Sequence, residues 1–250
     1  MEQRIIAISN HKGGVGKTTS VACLGLALAR EGKKTLLVDL DGQMNLTGFF
    51  INEDEVDTSI YDSMTKGTPL PVVSIKDNLD MVPASMDLAR VDIDLAGRIA
   101  RERILSDLLE PLAEKYDFIL LDCPPSLGIM TANALVASTE IVVPLQGEAL
   151  PLKGLRMIED LTEELGHAMR REIGIDGIFI TRFNNRKINK EVASAIRAKY
   201  GVKVYDTVIR ENIALAEVPL YGGDIFDYAP ESNGAKDYQE LAKEIIKSRK

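Results

Sequence analysis

Residues 5–29 read IIAISNHKGGVGKTTSVACLGLALA, and this stretch decides the fold. An apolar run suited to a buried strand comes first, then a glycine-rich loop, then an apolar run with helical character. This order is typical of a phosphate-binding loop, because glycines let successive N–H groups point at one anion and the helix start adds the positive end of its dipole. The stretch therefore predicts a nucleotide site. The alternative is a glycine-rich turn that only enters a helix.

The predicted phosphate-binding residues lie in the loop and the first helical turn. They are Gly13, Gly14, Val15, Gly16, Lys17, Thr18 and Thr19. Lys17 is suited to reach the β- and γ-phosphates, and the hydroxyl of Thr18 is suited to ligate Mg²⁺. The pattern G-x-x-x-x-G-K-[ST] is met except at His11, which stands in the place of the first glycine.

Composition limits the classes of protein that fit. The chain has 250 residues, 45% of them hydrophobic, which suits one large domain over residues 1–250. Its net charge of −8 argues against a generally basic nucleic-acid binder. The two cysteines, Cys23 and Cys123, are far apart and indicate neither a disulfide framework nor a zinc or iron–sulfur site. With no apolar run long enough to span a membrane and no signal-peptide layout, a cytoplasmic location is expected.

Strand and helix patterns alternate along the chain. We expect an α/β fold: a single P-loop NTPase domain with a mostly parallel twisted sheet flanked by helices on both faces. A helix is predicted over residues 98–115, with a kink at Pro111. Residues 51–97 predict a helix near 58–64, two short strands and a linking segment over 86–97. The strand order does not follow from the pattern. Further strands are predicted at 33–39, 118–122, 140–145, 175–183 and 204–209.

Two predicted strands end in carboxylates. Asp122 follows four apolar residues, which suits the acid that holds Mg²⁺ through its water shell; the alternative is an Asp that starts a proline turn. Asp39 and Asp41 stand two residues apart at the end of another strand, where the chain enters a polar, glycine-containing loop. An Asp near the γ-phosphate orients the attacking water, but on pattern alone a solvated loop carboxylate explains Asp41 equally well.

Three motifs together resemble the ParA/Soj partition ATPases. Residues 10–19, 39–43 and 121–128 look like the deviant Walker A, switch I and switch II of that family, and the similarity extends to residues 217–243. The resemblance implies ATP and Mg²⁺ as cofactors and a homodimer in the ATP state. It makes Lys12 the signature lysine that reaches into the partner's site, Lys17 the intrinsic lysine and Asp41 the water-positioning acid. Asp39 is then its switch I neighbour, and Asn184 reads the adenine edge.

The resemblance also implies partners. They are a ParB-type centromere-binding protein and non-specific DNA, and DNA binding would make the protein nucleoid-associated. The DNA-binding candidates are Arg182, Arg186, Lys187 and Arg210. Glu211 and Ala214 stand where Soj-like relatives often carry arginines, and a carboxylate repels phosphate.

Other features separate this chain from relatives. Gly42 replaces the proline that usually follows the second switch I acid. The helix-turn-helix region of larger plasmid ParA proteins is expected to be absent. We expect residues 241–250 to pack on the core rather than to lie on a membrane or insert into it. The alternative function is an ATP-switched positioning protein of the MinD/ParA superfamily, which acts on a protein or membrane cargo without binding DNA.

Overall fold

The protein is built around one eight-stranded sheet. The computed structural model describes residues 3–147 and 151–248. The strands follow the order β3-β4-β2-β5-β1-β6-β7-β8, in which only the pair β3 and β4 is antiparallel. Their bounds are β1 Arg4–Ile8, β2 Thr35–Asp39, β3 Val73–Lys76, β4 Leu79–Val82, β5 Phe118–Asp122, β6 Glu140–Gln146, β7 Ile175–Phe183 and β8 Val204–Arg210.

Helices cover both faces of the sheet. Neighbouring residues on β1 point into two separate apolar clusters, Ile6 and Ile8 into one and Ala7 into the other, so the sheet lies between two layers. The helices are α1 Lys17–Arg30, α2 Thr47–Phe50, α3 Ile60–Lys66, α4 Val91–Asp94, α5 Ile104–Leu109, α6 Ile129–Ala137, α7 Pro151–Met169, α8 Lys187–Tyr200, α9 Ala214–Glu217, α10 Ile225–Tyr228 and α11 Asn233–Lys247. The predicted α/β fold, with a mostly parallel sheet and helices on both faces, is confirmed.

The prediction of one helix over residues 98–115 is wrong. Ala100 has a left-handed backbone with φ +53°, so no helix runs through it. The α-helical part is α5 alone, between two short 3₁₀ turns, and Pro111 lies in the second of them. Proline lacks the N–H that a continuing helix would need, which accounts for the end of α5 at Leu109.

The carboxyl-terminal helix α11 packs on the core, as predicted. Tyr238, Leu241 and Ile245 are buried, and α11 contacts α1 and β8. The Tyr238 hydroxyl lies 2.8 Å from Ser20 Oγ on α1, which ties the end of the chain to the helix that follows the glycine-rich loop. Among the described residues, none of the helices has the length and apolar character needed to cross a membrane.

Candidate functional site

The loops that carry the predicted site residues leave three neighbouring strands. β5 lies between β2 and β1, and Asp122 is in register with both Asp39 and Ile8. The glycine-rich loop and the two acid-tipped loops therefore leave the same edge of the sheet side by side. Ligands of open α/β sheets bind at this carboxyl edge. The three loops therefore meet at one place, where a single ligand could contact all of them.

The glycine-rich loop takes a shape that its glycines permit. Gly14 and Gly16 have φ of +72° and +90°, the left-handed region that other residues avoid. Side chains from other strands hold the loop: Gln146 Nε2 donates to the Gly14 carbonyl at 2.6 Å, and Thr181 Oγ1 donates to the Val15 carbonyl at 2.9 Å. The glycine-rich loop is thus held in place by side chains of β6 and β7.

Lys17 opens helix α1 and is buried next to the acidic loops. Burial lowers the pKa of Lys17, while Asp122, Cys123 and Asp41 raise it. A buried ammonium group is held charged by anions, and polyphosphate would supply several more. The position fits the predicted contact with β- and γ-phosphates.

Asp122 is buried at the end of β5. Neither of its carboxylate oxygens has a hydrogen-bond partner within the part of the chain that the structure describes. Burial raises its pKa well above the ordinary value and Asp39 raises it further, whereas the Thr18 hydroxyl and the Lys17 ammonium lower it. A buried carboxylate without donors is the kind of group that a hydrated cation satisfies. Asp122 and Thr18 therefore fit the predicted Mg²⁺ site.

Asp39 lies at the end of β2 and is fully hydrogen-bonded. Its Oδ2 accepts from the N–H and the hydroxyl of Thr47, both at 2.8 Å, and its Oδ1 accepts from the Asp41 N–H at 3.1 Å. Burial raises the pKa of Asp39 to about 6, although these hydrogen bonds act in the opposite direction. All of these contacts fix the loop that carries Asp41. A catalytic role for Asp39 itself stays a prediction.

Asp41 and Lys12 are accessible at the same edge. Asp41 is half-buried and accepts a hydrogen bond from the Gln43 N–H at 3.0 Å. Lys12 is exposed, and its ammonium donates to Gln146 Oε1 at 3.2 Å. Gly42, the position where a proline is usual, lies so close to the next segment that a Cβ there would be 3.2 Å from the Ala89 nitrogen. This close approach gives Gly42 a packing role in the loop.

A cavity of about 440 Å³ adjoins the glycine-rich loop on the side of β7 and β8. Gly14, Val15 and Gly16 line one wall, and Ile209, Ile213 and Leu215 contribute apolar surface. A second cavity of about 260 Å³ lies next to it and includes Asn184. Asn184 Oδ1 accepts from the Arg186 N–H at 3.2 Å, which fixes the orientation of its amide. The predicted adenine contact of Asn184 stays a prediction.

The predicted DNA-binding residues face acidic partners. Arg182 Nη2 lies 3.7 Å from Glu211 Oε1, and Lys187 Nζ lies 3.6 Å from Glu191 Oε1. Arg210 binds Asp237 through its guanidinium and its own N–H, the guanidinium contact being 2.5 Å. Arg186 is exposed on the same side. Three of the four candidate cations therefore have part of their charge compensated within the chain.

Two residues of the site were not predicted. Gln146 is buried at the end of β6 and connects the Gly14 carbonyl to the Lys12 ammonium. Thr47 is buried, donates to Asp39 and accepts from the Ala84 N–H at 2.9 Å. A polar residue that closes an apolar strand was the available signal for Gln146. No sequence pattern marks Thr47, because its partners Asp39 and Ala84 lie in other segments of the chain.

A strand, a glycine-rich loop and a helix start, flanked by two buried strand-end carboxylates, define the class of P-loop nucleoside triphosphatases. A family model described as an AAA domain matches residues 3–175. The chain is 39% identical to the sporulation initiation inhibitor protein Soj of Bacillus subtilis, over 97% of this chain and 98% of that protein. It is 37% identical to the chromosome partitioning protein ParA of Caulobacter vibrioides, over 97% and 94% of the two chains. The chain belongs to the ParA/Soj family of partition ATPases.

Solved structures agree with this assignment. Cobyrinic acid a,c-diamide synthase of Mycobacterium smegmatis, with bound ATP analogue and magnesium, has a TM-score of 0.85 at 29% identity and aligns over 98% of this chain and 94% of its own. A protein of Borrelia burgdorferi B31, described as a plasmid partition protein and bound to AMPPNP, has a TM-score of 0.82 at 25% identity, with coverage of 99% and 100%. The first structure agrees with ATP and Mg²⁺ as the cofactors of a site of this kind, and the second agrees with ATP.

Proposed function

We propose that this protein is a ParA-like ATPase of plasmid or chromosome partition, which binds Mg·ATP, dimerises face to face and hydrolyses ATP slowly. The observation that carries the proposal is the placement of Lys12, Lys17 and the Asp41 loop at one sheet edge, next to the unpartnered carboxylate of Asp122 in the described part of the chain. Membership in the partition ATPase family supports it.

Each part of the nucleotide has a matching group. The N–H groups of the glycine-rich loop and the start of α1 suit the phosphates. Thr18 and Asp122 would hold Mg²⁺, which offsets charge on the β- and γ-phosphates when bound. The cavity of about 440 Å³ beside Gly14 and Gly16 has the size and apolar lining that a nucleoside needs.

Hydrolysis needs a positioned water and compensation of charge. The hydrogen bond from the Asp41 N–H to Asp39 fixes the start of the Asp41 loop, which supports a role for Asp41 in orienting the water for attack on the γ-phosphate. Lys17 stabilises the charge that develops on the transferred group. Lys12 supplies a second cation across the dimer interface, in the manner of an arginine finger.

The Lys12 and Lys17 variants separate dimerisation from nucleotide binding. Lys12→Ala is expected to bind Mg·ATP normally but to stay monomeric by light scattering and to lose hydrolysis by about 10²-fold or more, because the trans cation is missing. Lys17→Ala is the matched control and is expected to lose nucleotide binding itself. A Lys12→Ala protein that dimerises and hydrolyses ATP normally would show that the sandwich mechanism is wrong.

As a partition protein it binds DNA non-specifically as the ATP dimer and is stimulated by a ParB-type protein. Arg182, Arg186, Lys187 and Arg210 are the cations proposed for DNA. An Asp41→Ala protein should accumulate in the ATP-bound state and be retained on DNA at low salt, and retention should fall steeply as salt rises. The DNA test uses this variant because hydrolysis would otherwise release the dimer.

A second candidate function is favoured by the charge pairing at the same surface. Glu211, Glu191 and Asp237 lie against three of the four proposed cations, which suits a positioning protein that does not bind DNA. If Asp41→Ala shows no ATP-dependent DNA retention at low salt, the partition role is lost and the ATPase remains. Adding Glu191→Gln to that variant is the comparison, since it frees Lys187 and should raise retention.

A further inference from the structure

Glu211 lies where the cavity of about 440 Å³ beside the glycine-rich loop meets the neighbouring cavity of about 260 Å³. The larger cavity adjoins the glycine-rich loop and the smaller one includes Gln146 and Asn184. Arg182 and Glu211 are the two residues that line both cavities, among the described residues. A base that fills the larger cavity would therefore present its edge toward this pair.

The position of Glu211 is set by three contacts. Its N–H donates to the Phe183 carbonyl at 3.0 Å, which extends the pairing of β7 and β8 by one residue. Its Oε2 accepts from Asn184 Nδ2 at 3.3 Å, and its Oε1 lies 3.7 Å from Arg182 Nη2. The Arg182 backbone is left-handed, with φ +48°, a conformation that few side chains adopt and that often occurs at functional sites.

Two other polar residues that line the larger cavity, Arg210 and Asn212, are engaged in contacts of their own. The Arg210 guanidinium binds Asp237, and Asn212 Oδ1 accepts from the Ala214 N–H at 2.8 Å. Glu211 is the acidic residue among the described residues that line the cavity. A carboxylate only accepts hydrogen bonds, so it selects for a base whose edge donates.

We propose that Glu211 is a specificity-determining residue of the nucleotide site, whose carboxylate accepts a hydrogen bond from the 6-amino group of adenine. The inference rests on the proposed binding of a nucleoside triphosphate in this site and adds what reads the base. Guanine carries an oxygen at the same position, and its lone pairs would face the negative charge. The bond to Asn184 also fixes that amide, so Glu211 acts in part by positioning its neighbour.

The test compares the affinities for ATP, GTP and ITP in the presence of Mg²⁺, measured by competition with a fluorescent nucleotide. The full chain carries either the natural residue or Glu211→Gln. The natural protein is expected to bind ATP at least tenfold more tightly than GTP or ITP. The 6-amino group of ATP can donate a charge-assisted hydrogen bond to Glu211, whereas the 6-oxo group of GTP and ITP cannot. Glu211→Gln should reduce the ATP preference about tenfold, since an amide both donates and accepts.

Two controls separate the possible failures. Glu191→Gln removes an equally exposed carboxylate from α8 outside both cavities and should leave the ATP preference unchanged. Glu211→Asp retracts the carboxylate by one methylene and should give an intermediate preference. The inference is overturned if the natural protein binds GTP as tightly as ATP through the N1–H and 2-amino groups, or if Glu211→Gln keeps the full preference. A natural protein that binds no triphosphate at all would overturn the proposed function as well.

Discussion

Asp122→Asn should stabilise the protein in the absence of ligand while weakening its response to Mg·ATP. In the native protein the Asp122 carboxyl group is buried, neither oxygen has a hydrogen-bond partner among the described residues, and burial disfavours its ionised form by raising its pKa. Asparagine has nearly the same shape and no charge. Removal of the charge therefore relieves a cost of folding that Mg²⁺ relieves when it binds.

The neighbouring Asp39 gives the scale of this cost. The pKa of Asp39 is about 6, against an ordinary value of 3.8. At about 1.4 kcal/mol per pKa unit, ionisation of this carboxyl group in the folded protein costs about 3 kcal/mol. Asp122 has its pKa raised well above the ordinary value, and it lacks the donors that Thr47 offers to Asp39. The amide introduced by Asp122→Asn would still lack partners, which costs about 1–3 kcal/mol. At pH 8 we expect a net gain in stability, and each kcal/mol of that gain should raise Tm by about 2–4 °C for a chain of this size.

The gain should depend on pH in a definite direction. The unfolded carboxyl group ionises near its ordinary pKa, whereas the folded group keeps its proton to a higher pH. Between these two values the folded native protein loses stability as pH rises, and above the folded pKa the loss is complete. The difference between Asp122→Asn and the native protein should thus be small at pH 4 and largest at pH 8.

The assay is thermal or denaturant unfolding in EDTA, repeated with saturating Mg·ATP. The native protein should gain about 3 kcal/mol at a ligand concentration of 100 Kd, and Asp122→Asn should gain much less. Asp39→Asn is the matched comparison at the next strand end, and it should gain less stability in EDTA, because its amide nitrogen would face an N–H donor. A ligand-free Asp122→Asn protein that is less stable than the native protein at pH 8 would refute the reasoning.

Two further predictions concern the stability of the loops around the site. Thr47→Val should lower the free energy of unfolding by about 2–4 kcal/mol, because Asp39 loses a donor and the buried Ala84 N–H loses its acceptor. Thr47→Ser keeps the hydroxyl and should cost less. Equal losses of stability for the two variants in urea unfolding would contradict this explanation. Gly223→Ala should cost about 2–4 kcal/mol, since a Cβ there would lie 2.1 Å from the Phe49 carbonyl oxygen. Gly222 has a similar positive φ but open space around it, so Gly222→Ala should cost about 1 kcal/mol. If Gly222→Ala lowered Tm as much as Gly223→Ala, the loss of stability would come from the backbone conformation alone and the steric explanation would be wrong.

Much of the fold could be predicted because its signals are local. The glycine-rich loop, the acid-tipped strands and the alternation of strands with helices are each contained in a short segment. Residues 98–115 show the limit of this reasoning. The helical spacing of apolar residues there does not reveal the left-handed backbone of Ala100, and it continues past Leu109, where the helix ends two residues before Pro111. The spacing of apolar residues indicates which residues are buried, but it indicates the backbone conformation less directly.

The face proposed to bind DNA illustrates a different limit. The sequence shows that Arg182 and Arg210 are cations and that Glu211 departs from relatives. It does not show that Glu211 lies against Arg182, or that Arg210 is held by Asp237, 27 residues away. The effective charge of a surface depends on which opposite charges lie within a few ångströms, and spacing along the chain does not fix those distances.

By itself, the sequence determined the class of protein, the phosphate loop and the identities of the acids at the strand ends, because each depends on neighbouring residues. Only the tertiary structure decided that β5 lies between β2 and β1, which brings Asp39 and Asp122 into register. It also decided that Gln146 holds a loop 132 residues away and that Thr47 supports Asp39. These contacts join distant segments, and their partners are chosen by the packing of the whole sheet, which no local pattern encodes.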